Sequence, residues 1–123
     1  MAVEEMHIAY VEDNLGNVAL VERICQMTQD TLITYSDAES ALNEITAEEA
    51  DLILMDLHLG GRSMDGLQLT RLLRQKGVSA PIIAITAFDS MGYGDQYLSA
   101  GCNQYVVKPV SVNAMIELLD GYR

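Results

Sequence analysis

The chain alternates between short apolar runs and segments in which apolar residues recur every three or four positions. The apolar runs are His7–Val11, Leu32–Tyr35, Leu52–Met55, Ile82–Ile85 and Tyr105–Val107. Runs of this length predict β-strands, and the intervening helical periodicity predicts an α-helix after each strand. The third run is apolar at every position, which is typical of a strand that is covered on both faces.

Polar residues and glycines mark the predicted ends of the helices. The first helix opens near Asn14, and Ser111 has the character of an N-cap for the last. Ser36 and Glu39 have the spacing of a capping box, which predicts Ser36 as the N-cap of the second helix. Gly77 is placed to end the third helix. The residues expected to face inward are Val18, Val21, Ile24 and Cys25, then Ala38, Ala41, Leu42 and Ile45, then Leu69, Leu72 and Leu73, and finally Val112, Met115, Ile116 and Leu119.

Alternation of strands and helices along the whole chain predicts a parallel sheet with helices on both faces. Right-handed crossovers leave few possible connections. A doubly wound α/β sheet with strand order 2-1-3-4-5, the flavodoxin-like arrangement, suits the predicted units. No linker, repeat or low-complexity segment interrupts the sequence, so we expect residues 1–123 to form a single domain.

The acidic composition limits the partners of the protein. A formal net charge of −11 opposes binding to nucleic acids and to anionic membranes. No apolar run approaches the roughly 20 residues that a membrane span requires. Cys25 and Cys102 match no metal-binding or redox motif, and reduced core thiols of a cytosolic protein are expected. We therefore expect a cytoplasmic protein without direct contact to nucleic acid or membrane.

Reactive side chains follow four of the predicted strands. They are Glu12 and Asp13 after the first strand, Asp56 after the third, Thr86 after the fourth, and Lys108, before Pro109, after the fifth. Doubly wound sheets bind ligands at the carboxyl ends of their strands, so these side chains are expected to meet at one edge. Turn chemistry alone would place Gly, Asn or Ser at these positions as readily.

Carboxylates held this close would repel one another and raise their pKa values, and a bound cation would remove the conflict. Oxygen ligands without sulfur or imidazole suit magnesium, with manganese as a substitute. One carboxylate could then act as a nucleophile toward a phosphoryl group. The Lys108 ammonium and the Thr86 hydroxyl would bind two of the phosphoryl oxygens. A cis Lys108–Pro109 bond would aim the lysine inward.

The order and spacing of these residues resemble the receiver domains of response regulators over essentially the whole chain. The matching residues are Glu12-Asp13, Asp56, Thr86 and Lys108-Pro109. The resemblance implies that Asp56 is the phosphoacceptor. It also implies a metal site, formed by Glu12, Asp13, Asp56 and the backbone carbonyl of His58. The stretch Val11 to Asn17, of the form VEDNxxN, is similar to receivers of hybrid kinases and phosphorelays.

The resemblance implies further roles for residues around this site. Lys108 would pair with the phosphoryl group, and Thr86 and Tyr105 would form a conformational switch. His58 and Phe88 occupy positions that border the path of attacking water in this family. Phe88 either shields the phosphoaspartate from hydrolysis or packs against the fourth helix, and the sequence leaves both interpretations open. The loop after Asp56 is about two residues longer than usual for the family.

The resemblance also implies the partners. The phosphoryl donor would be a phosphohistidine on a histidine kinase or a histidine phosphotransfer protein. The output would be a downstream protein target, reached through the face formed by strand four, helix four and strand five. Such a domain catalyses its own phosphorylation and dephosphorylation and is not a conventional turnover enzyme. Whether the receiver stands alone or belongs to a longer protein is left open by the sequence.

Three other functions are compatible with parts of the pattern. A magnesium-dependent phosphatase would share the acids, but it needs longer loops to form a substrate pocket. A flavodoxin-like cofactor binder needs a phosphate cradle after the first strand, where Glu12 and Asp13 would repel the phosphate. A receiver-like interaction module that never takes a phosphoryl group would not require the complete set of acids, hydroxyl and lysine.

Overall fold

The structure is a computed structural model that describes residues 5–57, 64–87 and 93–123, with only the backbone of residues 93–95. Its elements are β1 (His7–Val11), α1 (Leu15–Thr28), β2 (Thr31–Tyr35), α2 (Ala38–Glu44), β3 (Leu52–Asp56), α3 (Gly66–Gln75), β4 (Ile82–Thr86), α4 (Tyr93–Ala100), β5 (Gln104–Val107) and α5 (Val112–Gly121). Within these ranges, none of the helices combines the length and the apolar character needed to cross a bilayer.

The strands form one parallel sheet in the order β2-β1-β3-β4-β5, which confirms the predicted fold. The chain winds from β1 outward to β2 and then returns past β1 to β3, so the winding direction switches between β1 and β3. The register pairs Val11 with Met55, Asp56 with Ile85, and Thr86 with Val107. The carboxyl ends of β1, β3, β4 and β5 therefore lie side by side at one edge of the sheet.

Alternate residues of each strand enter two apolar clusters, one on each face of the sheet. In β3, which is buried throughout, Leu52 and Leu54 pack against α1 and α5, whereas Ile53 and Met55 pack against α2, α3 and α4. This double coverage explains why the third apolar run has no polar position, because either face of the strand would bury one.

Most of the predicted helix ends are confirmed. The Asn14 side chain accepts a hydrogen bond from the Asn17 backbone N–H at 2.9 Å, and Ser111 accepts one from Ala114 at 3.1 Å. Gly77 follows the end of α3 with φ of 100°, a left-handed conformation that glycine adopts without steric cost.

Two predicted details were wrong. The N-cap of α2 is Asp37 and not Ser36, because the Asp37 carboxylate accepts two hydrogen bonds from Ser40, at 2.7 Å from its backbone N–H and 3.0 Å from its hydroxyl. Val112 does not face inward but is 37% exposed. It is the first residue of α5, and helical side chains lean toward the N-terminus, so the Val112 side chain leans beyond the start of the packed helix.

The two cysteines lie on opposite faces of the sheet, as expected for core thiols that are not paired. Cys25 belongs to the α1 and α5 cluster and Cys102 to the cluster on the other face, and both are buried and free. Burial raises the pKa of the Cys25 thiol to about 11, which keeps it protonated at neutral pH.

An ion pair fastens the end of α5 to the turn between α1 and β2. Two nitrogens of the Arg123 guanidinium donate to the Asp30 carboxylate at 2.7 and 2.9 Å. The same carboxylate accepts hydrogen bonds from the Met6 N–H at 3.0 Å and the Thr28 hydroxyl at 2.6 Å. Burial alone would raise the pKa of Asp30, but the hydrogen bonds from Arg123, Thr28 and Met6 outweigh it and lower the pKa.

We expect Arg123→Met to lower the free energy of unfolding by about 2 kcal/mol at neutral pH, because it leaves a carboxylate with 0% side-chain exposure without its cation. The folded pKa of Asp30 lies below the ordinary aspartate value of about 3.9. The stabilisation is therefore present above about pH 4 and is lost as the pH falls further. Urea unfolding of both proteins across this range measures the effect.

The matched control is Asp120→Asn, which removes the exposed carboxylate that accepts from Nε of Arg123 at 2.9 Å. Exposed pairs contribute little, so its effect should stay below about 1 kcal/mol. Equal losses in the two variants, or a difference from the unmutated protein that persists undiminished in acid, would contradict this account of Asp30.

Gly66 begins α3 directly against the end of β3. A Cβ at this position would lie 2.7 Å from the carbonyl oxygen of Asp56 and 2.8 Å from Cα of Leu57. Both of these atoms belong to backbone, which cannot rotate away as the end of a side chain can. The absence of a side chain at Gly66 therefore lets α3 approach the strand end that carries Asp56.

We expect Gly66→Ala to lower the free energy of unfolding by about 1–3 kcal/mol, the usual cost of overpacking. The matched control is Gly121→Ala in α5, where an added Cβ would meet no atom within 4 Å. That control should be neutral or stabilising, since alanine favours helix over glycine. Thermal and urea unfolding measure both. A Gly66→Ala protein as stable as the control would show that the backbone at Asp56 and Leu57 shifts at little cost in free energy.

Candidate functional site

Three carboxylates meet where the sheet reverses its winding. Glu12 and Asp13 follow β1, and Asp56 is the last residue of β3, so the parallel pairing of these two strands brings them together. One oxygen from each carboxylate lies within 4.8 Å of the others. Glu12 and Asp56 are 1% and 3% exposed, whereas Asp13 faces solvent. The cluster is therefore mostly buried but opens to water at Asp13.

The Glu12 carboxyl accepts a hydrogen bond from one neutral donor and lies beside one group of like charge, the Asp56 carboxyl. The Asn17 side-chain amide, in the first turn of α1, donates to Oε1 of Glu12. Burial, together with contact with the Asp56 carboxyl, outweighs the opposite effects of Asn17 and Lys108 and raises the pKa of Glu12 to about 7. Among the described residues, Oε2 of Glu12 is buried without a hydrogen-bond partner.

This donor set fits a hard divalent cation. Glu12, Asp13 and Asp56 offer carboxylate oxygens, which are the ligands that magnesium prefers. The cluster found among the described residues includes no thiol or imidazole. A cation would also supply the interaction that Oε2 of Glu12 lacks in the described structure.

Lys108 brings a positive charge to the same edge from the end of β5. Its Nζ donates to Oδ1 of Asp56 at 3.2 Å. Its backbone N–H donates to the carbonyl oxygen of Thr86 at 2.7 Å, which fixes the start of the β5–α5 connection against β4. The Lys108–Pro109 peptide bond is cis, the isomer considered as a hypothesis from the sequence. The Lys108 side chain is partly exposed, whereas that of Asp56 is almost completely buried.

Thr86 ends β4, the strand next to β3, and is completely buried. Its Oγ1 lies 3.5 Å from the hydroxyl of Tyr97, a residue of α4. The Tyr97 ring contacts the ring of Tyr105 on β5 edge-on, with centroids 5.3 Å apart and an interplanar angle of 71°. Thr86 and Tyr105, the two predicted switch residues, are therefore connected through one side chain of α4.

The structure thus brings Glu12, Asp13, Asp56 and Lys108 into one cluster and places Thr86 at the end of the adjoining strand. Their chemical roles stay predictions. The predictions for the His58 carbonyl, the His58 side chain and Phe88 fall on residues 58–63 and 88–92, outside the described part of the chain.

Three residues outside the predicted set shape this site. Asn17 enters the sequence predictions only as part of the stretch similar to hybrid-kinase receivers, although its place in the first helical turn after Glu12 is a usable signal. Gly66 matters through a close approach of backbones, and Tyr97 through contacts between α4, β4 and β5. The sequence carries no comparable signal for Gly66 or Tyr97, because both effects depend on packing.

The response regulator receiver domain family matches residues 8–120 of this chain. The chain therefore belongs to that family and is a receiver domain of two-component signalling. Receiver domains interact with histidine kinases or phosphotransfer proteins, and the acidic cluster found here is the kind of pocket in which they bind magnesium.

Curated relatives include both a small response regulator and large kinases. The polar-differentiation response regulator DivK of Brucella ovis is 34% identical over 118 residues, covering 94% of this chain and 94% of DivK. The sensor histidine kinase GacS of Pseudomonas protegens is 30% identical over 114 residues, covering 89% of this chain but 12% of GacS. The autoinducer 2 sensor kinase/phosphatase LuxQ of Vibrio vulnificus is 34% identical over 106 residues, again 12% of its length.

Solved structures share the fold over nearly the whole chain. The receiver domain of a sensor histidine kinase from Pseudomonas aeruginosa, with a magnesium ion coordinated in its active site cleft, matches with a TM-score of 0.83 and 30% identity, covering 97% of this chain and 98% of that one. A Francisella response regulator receiver domain matches with a TM-score of 0.86 at 21% identity, covering 95% of each chain, which supports the fold alone.

We expect the protein without divalent cations to lose stability as the pH rises from about 5 to 8. The pKa of Glu12 is raised in the folded state to about 7, so over this range the folded protein holds a proton that the unfolded chain has released. The stabilisation is complete below the ordinary glutamate pKa of about 4.3 and is lost as the pH rises through the folded value. Urea unfolding in a chelator measures it.

The Glu12→Gln variant should show a weaker decline over the same range, because its amide does not ionise. The control is Glu22→Gln on the exposed side of α1, which should follow the unmutated protein. If Glu12→Gln and the unmutated protein declined in parallel, Glu12 would not be the group responsible.

Proposed function

We propose that this receiver takes a phosphoryl group from a phosphohistidine onto Asp56 in a magnesium-dependent reaction and thereby controls a protein partner. The observation that carries the proposal is the environment of the Asp56 carboxyl. It has a cation at 3.2 Å, Lys108, on one side and two further carboxylates within 4.8 Å. Lys108 favours the ionised form of Asp56, whereas the two neighbouring carboxylates oppose it, and a bound cation would offset that opposition.

Glu12, Asp13 and Asp56 would hold the magnesium ion, with manganese as a substitute. The backbone carbonyl of His58, outside the described residues, is the fourth proposed ligand. A bound divalent cation supplies positive charge that offsets the clustered carboxylates and the oxygens of a phosphoryl group. Support for this assignment comes from the buried Oε2 of Glu12, which has no partner among the described residues.

In the transfer, a carboxylate oxygen of Asp56 forms a bond to phosphorus as the bond between phosphorus and the donor imidazole nitrogen breaks. The electron pair of the broken bond returns to the imidazole. Lys108, now paired with Asp56, would pair instead with a phosphoryl oxygen, because the transferring group spreads negative charge over its oxygens. The chain's contribution is chiefly positioning and charge, which fits a domain that catalyses its own modification.

Thr86 and Tyr105 would carry the state of Asp56 to the surface. The Thr86 hydroxyl would turn toward a phosphoryl oxygen, and Tyr105 would move inward behind it. Both residues lie on strands that flank α4. The face formed by β4, α4 and β5 would therefore change its shape and present a different surface to a downstream protein.

The partner classes follow from family and charge. The donor would be a histidine kinase or a histidine phosphotransfer protein, since the relatives include sensor kinases as well as the regulator DivK. The net charge of −11 favours a protein target with a basic surface over nucleic acid or an anionic membrane. We further propose that residues 1–123 act as a single domain in the cytoplasm.

Incubation with acetyl phosphate and magnesium should add one phosphoryl group, detected by intact mass spectrometry. Asp56→Asn should abolish the addition, because an amide is a far weaker nucleophile than a carboxylate. The matched control is Asp120→Asn, an exposed aspartate of α5 away from the cluster, which should be labelled like the unmutated protein.

Undiminished labelling of Asp56→Asn would remove Asp56 from its proposed role. Absence of labelling in the unmutated protein, with either acetyl phosphate or a phosphorylated histidine phosphotransfer domain as donor, would support the interaction module instead. Sustained turnover of a small phosphate ester would support the phosphatase.

A further inference from the structure

Tyr97 of α4 connects the two residues of the proposed switch. Its side chain is 5% exposed and belongs to the apolar cluster that α2, α3 and α4 share with the sheet. Its hydroxyl lies 3.5 Å from Oγ1 of Thr86, and its ring lies edge-on to Tyr105. One side chain of α4 therefore contacts the end of β4 and the middle of β5 at the same time.

The contact between the Thr86 and Tyr97 hydroxyls would stabilise the present position of Thr86 relative to one in which its hydroxyl points toward Asp56. A buried tyrosine hydroxyl needs a hydrogen-bond partner, and Thr86 supplies one here. β4 lies between β3, which carries Asp56, and β5, which carries Tyr105. If the Thr86 hydroxyl turned toward Asp56 on β3, it would turn away from Tyr105 on β5, and its contact with Tyr97, already near the limit of hydrogen bonding, would lengthen.

We propose that Tyr97 is a positioning residue that holds Thr86 and Tyr105 in the resting arrangement and so sets how readily a phosphoryl group on Asp56 switches the domain. This inference rests on the proposed function. Tyr97 acts through Thr86 and touches no reacting atom. Because its hydroxyl favours the resting state only, its removal should make the switched state easier to reach.

The test uses Tyr97→Phe, which removes the hydroxyl and retains the ring against Tyr105. The probe is beryllofluoride with magnesium, an inorganic analogue of a phosphoryl group on a carboxylate, followed by the fluorine NMR signal of the bound form. Loss of one hydrogen bond that stabilises the resting state should tighten beryllofluoride binding by roughly two- to fivefold. A purely structural role of Tyr97 would weaken binding or leave it unchanged.

A double-mutant cycle tests whether the effect passes through Thr86. Thr86→Val removes the other hydroxyl of the pair at nearly constant volume. In the Thr86→Val background, Tyr97→Phe should change the affinity by much less than it does alone, and the difference is the coupling between the two side chains. The matched control is Tyr122→Phe, which removes a tyrosine hydroxyl that donates to Gln104 at the opposite end of β5, and it should leave the affinity unchanged.

A measurement on the unmutated protein does not depend on the folding of any variant. The carbon-13 resonance of the ring carbon that bears the hydroxyl should shift for Tyr97 when beryllofluoride and magnesium are added, and it should remain in place for Tyr122. An unmoved Tyr97 resonance would overturn the proposal, as would an unchanged or weaker affinity of Tyr97→Phe, or an equal gain in the Thr86→Val background.

Failure of the proposed function is distinguishable from failure of this inference. If the unmutated protein gave no magnesium-dependent beryllofluoride signal, or if Asp56→Asn kept that signal, the phosphoacceptor role of Asp56 would be wrong. If the unmutated protein bound beryllofluoride normally and only the Tyr97 effects were missing, the role of Asp56 would stand and the role of Tyr97 would be wrong.

Discussion

The site depends on two carboxyl groups, Glu12 and Asp56, that the fold buries side by side. Removing carboxylates from water is costly, and placing them together adds repulsion. The described structure compensates with the Asn17 amide on Glu12 and the Lys108 ammonium on Asp56, and it leaves Oε2 of Glu12 without a partner. The negative charge of the buried carboxylates is therefore only partly compensated. Binding of a cation, and then of a phosphoryl group, would change the charge at this same place. The electrostatic free energy of the site can therefore influence both the phosphoryl transfer and the conformation of the domain.

The parallel sheet is what makes this juxtaposition possible. Every strand presents its carboxyl end at the same edge, so strand register brings together residues that are remote along the chain, such as Lys108 and Asp56, which are 3.2 Å apart. The two apolar clusters hold the strands in this register from both faces. The close approach of Gly66 to the Asp56 backbone then sets how near α3 can come to the site.

Two kinds of polar contact among the described residues have different consequences. Arg74 donates to carbonyl oxygens of Val78, Ala80 and Gly101, and Arg123 forms a bidentate pair with Asp30. Such multiple charged contacts fasten loops and helix ends in place. The link from Thr86 to Tyr97 is a single long contact between two hydroxyls. A hydroxyl can exchange a long contact for a shorter hydrogen bond at little cost in free energy. We therefore expect motion at Thr86 and Tyr97 and not at the segments that Arg74 and Arg123 hold.

The sequence by itself determined the fold class, the strand order and the set of chemical groups at the strand ends. Apolar periodicity reports which faces are buried, and the constraint that parallel strands end at one edge converts chain order into proximity. The sequence did not determine which residue caps α2. Ser36 and Asp37 have similar capping ability, and the hydrogen-bond geometry of the structure selects Asp37. Nor did the sequence reveal the contacts of Tyr97 or the space denied to a side chain at Gly66. These depend on distances between elements far apart in the chain, and only the packed tertiary structure fixes such distances.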